Sequence, residues 1–245
     1  MSAAQSIPAE IAVRSRKKFP DDAWGTDANS APWRGYTSYT PAYVTKNEIE
    51  SVKLPGIMHN GTFAELLALH VLVSLRSNTS TLIQRELLDL NSTFEEVLGF
   101  RKGAIQSCKL LTEVLEKVSG DCSIAAMIHK ARFLRLRPWQ VDESLTTWFD
   151  ANWREFPEHP SYPSGHATEA FAIAEILAWL LPTRGRLLTY KAAFAIAERR
   201  EIAGVHFRSD TIAGSILGAW VADSAKLKLA EEAERKLRQE LHTIF

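Results

Sequence analysis

The chain has 245 residues, 46% of them hydrophobic and 24% charged, and it balances 29 Lys+Arg against 29 Asp+Glu. That length supports one core or two, and the composition excludes a disordered, collagen-like or disulfide-dense chain. A net charge of zero excludes a surface that coats nucleic acid, while leaving room for a local cationic pocket. The two cysteines, Cys108 and Cys122, form neither a metal spacing nor a disulfide framework and read as buried free thiols.

Residues 1–61 are rich in turn formers and aromatics, such as Pro20, Trp24, Pro32, Trp33, Tyr39 and Tyr43, with one short helix expected near 9–16. This stretch reads as an irregular arm packed on a domain over 62–245. It has no apolar leader, so a cytoplasmic location is expected. From Thr62 the pattern turns helical, with Thr62 and Glu65 spaced as a capping box before an apolar run to about residue 75. Further helices are expected near 80–90, 93–99, 103–118, 122–136, 142–150, 165–181, 185–203 and 209–241. Alternating strand patterns are nearly absent. The fold class expected is therefore all-α, one helical bundle-like domain. The most apolar stretches, 63–75, 167–181 and 202–221, all carry charged or histidine side chains, so no integral membrane segment is expected. On the last helix Leu229, Ala233, Leu237 and Leu241 form one stripe, which docks on the core or serves a homodimer.

Three segments carry chemistry. In the first, Lys130 and Arg137 lie seven apart, about two helical turns, so both project from one helix face, with Pro138 ending the helix. No acidic residue occurs between Ser123 and Val141, while Arg132 and Arg135 add further positive charge. In the second, Pro163-Ser164-Gly165-His166 opens a helix. Ser164 suits the N-cap, Gly165 admits a ligand close to the backbone, and the helix start favours an anion. In the third, Arg200 precedes His206 and Asp210, and the four-residue spacing lets the carboxylate orient the imidazole.

Taken together, Lys130…Arg137-Pro138, Pro163-Ser164-Gly165-His166 and Arg200…His206…Asp210 resemble the tripartite signature of the type 2 phosphatidic acid phosphatase and vanadium haloperoxidase superfamily: K-x6-R-P, P-S-G-H and S-R-x5-H-x3-D. One position departs, because Arg199 stands where the pattern has Ser. The resemblance implies that Lys130, Arg137, Ser164, Gly165 and Arg200 bind a tetrahedral oxyanion. It implies that His206 attacks phosphorus or ligates vanadium, that Asp210 orients His206, and that His166 protonates the leaving oxygen. A metal-independent phosphomonoesterase acting on a small phosphorylated substrate is the first reading. It needs no cofactor and involves no nucleic acid. A vanadate-dependent haloperoxidase is the alternative, with vanadate as cofactor. The short gaps between motifs favour the first. His159 is a candidate for the mouth of the site. Trp139 and Tyr162 are expected to pack, and His59, His70, His129 and His242 to be structural or solvated.

Overall fold

The computed structural model describes residues 39–57, 63–145 and 159–244. The expected arm before residue 39, the helix near 9–16, His59, Thr62 and residues 146–150 lie outside the described residues. Among those described, the secondary structure is helical, with no strand. The order is α1 (Lys46–Ser51), α2 (Phe63–Val73), α3 (Arg76–Arg85), α4 (Asn91–Leu98), α5 (Ala104–Ser107), α6 (Lys109–Phe133), α7 (Pro138–Val141), a 3-10 turn (Glu143–Leu145), α8 (Gly165–Leu180), α9 (Thr183–Ile202), α10 (Arg208–Lys228) and α11 (Glu231–His242). Among the described residues no helix is long and apolar enough to cross a membrane.

Helix α8 is the centre. It is apolar on nearly every side, which suits a helix surrounded by others. It packs against α6, α9 and α10. The facing surfaces are rich in alanine, including Ala125, Ala170, Ala174, Ala193, Ala197, Ala213 and Ala222, all buried. Small side chains let these axes approach closely. The limit is reached on α10. A Cβ at Gly214 would lie 2.6 Å from the Ser164 carbonyl oxygen, and one at Gly218 would overlap the Thr168 carbonyl oxygen. The crossing therefore seats the first turn of α8 directly on the first half of α10.

The structure corrects three expected boundaries. The helices read at 103–118 and 122–136 are mainly one helix, α6. Gly120 does not break it, because the buried stripe Leu111, Val114, Leu115, Val118, Cys122 and Ala125 continues in step across it. The helix also stops earlier than expected. Leu134 takes the left-handed conformation, with φ +48°, so Arg137 is not on the helix of Lys130. Pro138 opens α7 instead of closing α6. Finally, the helix expected over 209–241 divides where Leu229 and Ala230 are extended.

That break folds α11 back. Leu237 and Leu241 are buried in the chain's own core, with Leu229 packed against it, so the stripe is occupied and unavailable as a dimer face. The Glu240 carboxylate accepts the Leu110 and Leu111 N–H groups at 3.2 and 3.0 Å, meeting free donors at the start of α6. The 39–45 segment is tied to α6 by Asp121, which accepts the Ala42 and Tyr43 N–H groups at 2.6 Å each. Glu65 reaches beyond its own helix. Its carboxylate accepts the Ser209 N–H at 3.0 Å and Arg135 at 2.8 Å, capping α10 from across the fold.

Two glycine substitutions test the crossing in opposite directions. Gly218→Ala is expected to cost about 1–3 kcal/mol or more, because backbone must move. Gly120→Ala meets nothing within 4 Å and is expected to add up to about 1 kcal/mol. Thermal melts of both variants read the result; equal midpoints for the two would contradict the packing described.

Candidate active site

Where α6, α8 and α9 end or begin, they enclose a cavity of about 220 Å³. Lys130, Arg137, Gly165, His166, Arg200 and His206 all line it. Each arrives from a different local structure. Lys130 is in the last turn of α6, Arg200 in the last turn of α9, and His166 in the first turn of α8. Arg137 stands in extended backbone just before α7. His206 follows Gly204, whose φ of +73° turns the chain between α9 and α10.

The three cations are buried and held differently. Lys130 Nζ donates to the Pro160 and Ser161 carbonyls at 2.5 and 3.0 Å. Burial first, then the Arg137 charge, pushes its pKa well below the usual amine range. Arg137 Nε donates to the His159 carbonyl at 3.0 Å and Nη1 to the Val205 carbonyl at 2.7 Å. Burial lowers its pKa to about 9. Arg200 Nη2 donates to the Ile83 carbonyl at 3.0 Å and to Glu86 at 3.1 Å. Its Nε and Nη1 are buried with no partner among the described residues. Unpaired buried guanidinium donors on a cavity wall fit a tetrahedral oxyanion, phosphate or vanadate alike.

His206 Nδ1 lies 3.3 Å from Asp210 Oδ2. A carboxylate only accepts, so this contact places the imidazole proton on Nδ1 and leaves the Nε2 lone pair free. Nε2 is 3.3 Å from Arg137 Nη1. Burial, then Arg137, lowers the His206 pKa to about 3. Asp210 is fully buried. Burial alone would raise its pKa, but Arg135, His206 and Ser161 outweigh that and hold it well below the usual carboxylate range. Arg135 Nη1 and Ser161 Oγ donate to it at 2.6 and 2.5 Å. His166 is also driven well below the usual imidazole range, by burial and then by Arg200.

Two of the expected residues do not line the cavity. Asp210 stands behind His206. The Ser164 oxygen accepts the Ala167 N–H at 3.4 Å, so it serves as the N-cap of α8. Arg199 also faces away: its Nε lies 2.9 Å from each Glu86 oxygen, and its Nη2 also reaches that carboxylate. Glu86 is thus shared by Arg199 and Arg200. The extra cation at 199 is matched by this carboxylate and adds no charge to the cavity wall. His159 does line the cavity, with Nδ1 3.0 Å from Arg137 Nη2. Tyr162 is buried against Phe133 with its hydroxyl on the Pro55 carbonyl, and Trp139 packs beside Leu136 and Ile202; neither lines the cavity. His70 pairs with Asp142 at 2.8 Å and His129 with the Ile49 carbonyl at 3.1 Å.

Sequence reasoning missed Glu86, Glu65, Ser161 and Glu169, and took Arg135 for part of a basic stretch. Arg135 is the fully buried bridge between Glu65 and Asp210. The only signal was its place in a run free of acids, whose partners lie far away in sequence.

The buried imidazoles make acid stability a test of this site. His206, with a folded pKa near 3 against roughly 6.5 unfolded, takes its proton preferentially in the unfolded chain. Its contribution is complete above about pH 6.5 and is lost as pH falls toward 3, at up to about 1.4 kcal/mol per pH unit. His159 and His166 act in the same direction, whereas Asp210 adds its loss only below about pH 4. Denaturant unfolding between pH 7.5 and 5 is expected to show falling stability, with a weaker fall in His159→Phe. A flat profile would contradict the buried neutral state.

Residues 110–226 match the sequence model of the family described as the PAP2 superfamily. The chain is 29% identical over 132 residues to a non-specific acid phosphatase of Providencia stuartii, covering 52% of this chain and 51% of that protein. It is 34% identical over 90 residues to a vanadium-dependent bromoperoxidase of Ascophyllum nodosum, covering 25% of this chain and 16% of that protein. The chain thus spans about half the length of the first relative and a smaller part of the second. The matched segment supplies every cationic and imidazole side chain of the cavity, so the site lies wholly within the part of the chain that matches the PAP2 superfamily model.

Proposed function

We propose that the protein is a phosphatase, a metal-independent phosphomonoesterase that works through a phosphohistidine on a soluble or amphiphilic phosphate ester. The observation that carries this reading is the convergence of Lys130, Arg137 and Arg200 on one small cavity with an oriented His206. The acid phosphatase relative supports the same reaction class.

In this reading the three cations bind the non-bridging oxygens, with the Gly165 N–H at the positive end of α8, the helix that Ser164 caps. The neutral His206 offers its Nε2 lone pair to phosphorus while Asp210 keeps the proton on Nδ1. As the N–P bond forms, the bond to the leaving oxygen breaks and His166 supplies that oxygen's proton. His166 then takes a proton from water, the water oxygen attacks phosphorus, and the N–P bond breaks to release phosphate and restore His206. His166 is neutral in the cationic cavity alone. A bound phosphate offsets those charges and raises its proton affinity, so substrate binding itself arms the acid.

A second reading rests on the bromoperoxidase alignment. Vanadate would be held by Lys130, Arg137, Arg200 and His206. When bound, it supplies activation of hydrogen peroxide for halide oxidation.

Hydrolysis of p-nitrophenyl phosphate in EDTA, inhibited by micromolar vanadate, is the expected result. Negligible hydrolysis, together with halide oxidation on adding vanadate and peroxide, would overturn the phosphatase reading. His206→Ala is expected to abolish turnover, by at least about a thousandfold. His166→Ala is expected to slow alkyl phosphates about 10²–10⁴-fold and nitrophenyl phosphate much less. Equal losses on both substrates would remove the general-acid role.

A further inference from the structure

The cavity extends past the three cations. One face of α6 forms that wall: Ser123, Met127 and Lys130 follow at helical spacing, so the wall runs from the cationic end to a polar one. Opposite, Glu169 lies three residues beyond His166 on α8, on the same side of the helix. Both Ser123 and Glu169 line the cavity. Leu87, Ala126 and Met127 complete this end with apolar surface. Glu169 is the one acidic side chain among the cavity's described lining residues. Oxyanion binding gives it no role, since a carboxylate beside a phosphate only repels it.

We infer that Glu169, with Ser123, forms a subsite for the alcohol portion of the substrate. It accepts a small group carrying an ammonium or hydroxyl donor and rejects one carrying a second anion. The inference deepens the phosphatase reading and rests on it. His166, the group that faces the leaving oxygen in that reading, stands one helical turn from Glu169. The alcohol portion must therefore pass the carboxylate. A cavity of about 220 Å³ is smaller than pockets for drug-sized ligands, so the first few heavy atoms of the alcohol lie against this wall. Within that space an ammonium gains a charge-assisted bond to Glu169. A second phosphate or a carboxylate meets like charge across a short, poorly hydrated gap.

Non-hydrolysable phosphonates test this without turnover. Calorimetry at pH 7.5 would compare 2-aminoethylphosphonate, propylphosphonate and phosphonoacetate on the wild-type chain. The amine is expected to bind at least about tenfold tighter than the carboxylate, with the neutral propyl compound between them. Glu169→Gln keeps the size and removes the charge. It is expected to bring the amine and carboxylate affinities within about threefold while moving propylphosphonate by less than that. Propylphosphonate binding with no preference between amine and carboxylate, or an unchanged preference in Glu169→Gln, would overturn the subsite alone. Failure of all three phosphonates to bind would overturn the oxyanion site and the subsite with it. The wild-type series decides the matter even if the variant fails to fold.

Discussion

A carboxylate with no access to water, Asp210, joins the segments that build the site. Its oxygens accept Arg135 from the turn after α6, Ser161 from the loop before α8, and the Phe207 N–H; His206 lies 3.3 Å from the same carboxylate. Its backbone carbonyl accepts the Ser164 N–H at 3.0 Å. Arg135 continues to Glu65 on α2 and stacks over the Phe207 ring, 4.2 Å from its centroid. Removing one member of so buried a network leaves an uncompensated charge, at a cost of about 3–5 kcal/mol. The pairing that orients the imidazole is thus also a structural tie between α2, α6, α8 and α10.

Burial sets the chemistry as much as the charges do. Lys130, Arg137 and Arg200 are each within 1% of full burial, and all have lowered pKa values because the charged form loses water. The protein meets part of that cost with backbone carbonyls at Ile83, Pro160, Ser161 and Val205. Carbonyl dipoles hold the cations in place without neutralising them, so their charge stays available to an anion. Glu86 is the exception, and it is divided between Arg199 and Arg200. The Arg at position 199 is in this sense compensated: it and a buried carboxylate more than a hundred residues earlier form one unit with the cavity-lining Arg200.

This arrangement requires short distances between helices. The Gly214 and Gly218 contacts bring α10 onto the first turn of α8, which sets Gly165 and His166 beside His206. A methyl group at either glycine would separate the cavity-lining start of α8 from the imidazole of His206. Gly214 and Gly218 therefore act on the geometry of the site, although neither lines the cavity.

The sequence by itself determined the all-helical class and the residues that gather at the cavity. Helical periodicity is local, and the motif residues are rare types at fixed spacings, so both are legible without coordinates. Lys130, Arg137, Gly165, His166, Arg200 and His206 were legible for that reason. Tertiary structure decided how they meet. The turn at Leu134 takes Arg137 off the helix of Lys130, which a helical extrapolation from 130 to 137 cannot foresee. Tertiary structure also decided which carboxylates serve the site. Glu65 reads as a capping-box residue and Glu86 as an ordinary helix acid until the fold carries them to Arg135, Arg199 and Arg200. Pairing of buried charges depends on distance through space, and neighbouring sequence carries no record of that distance.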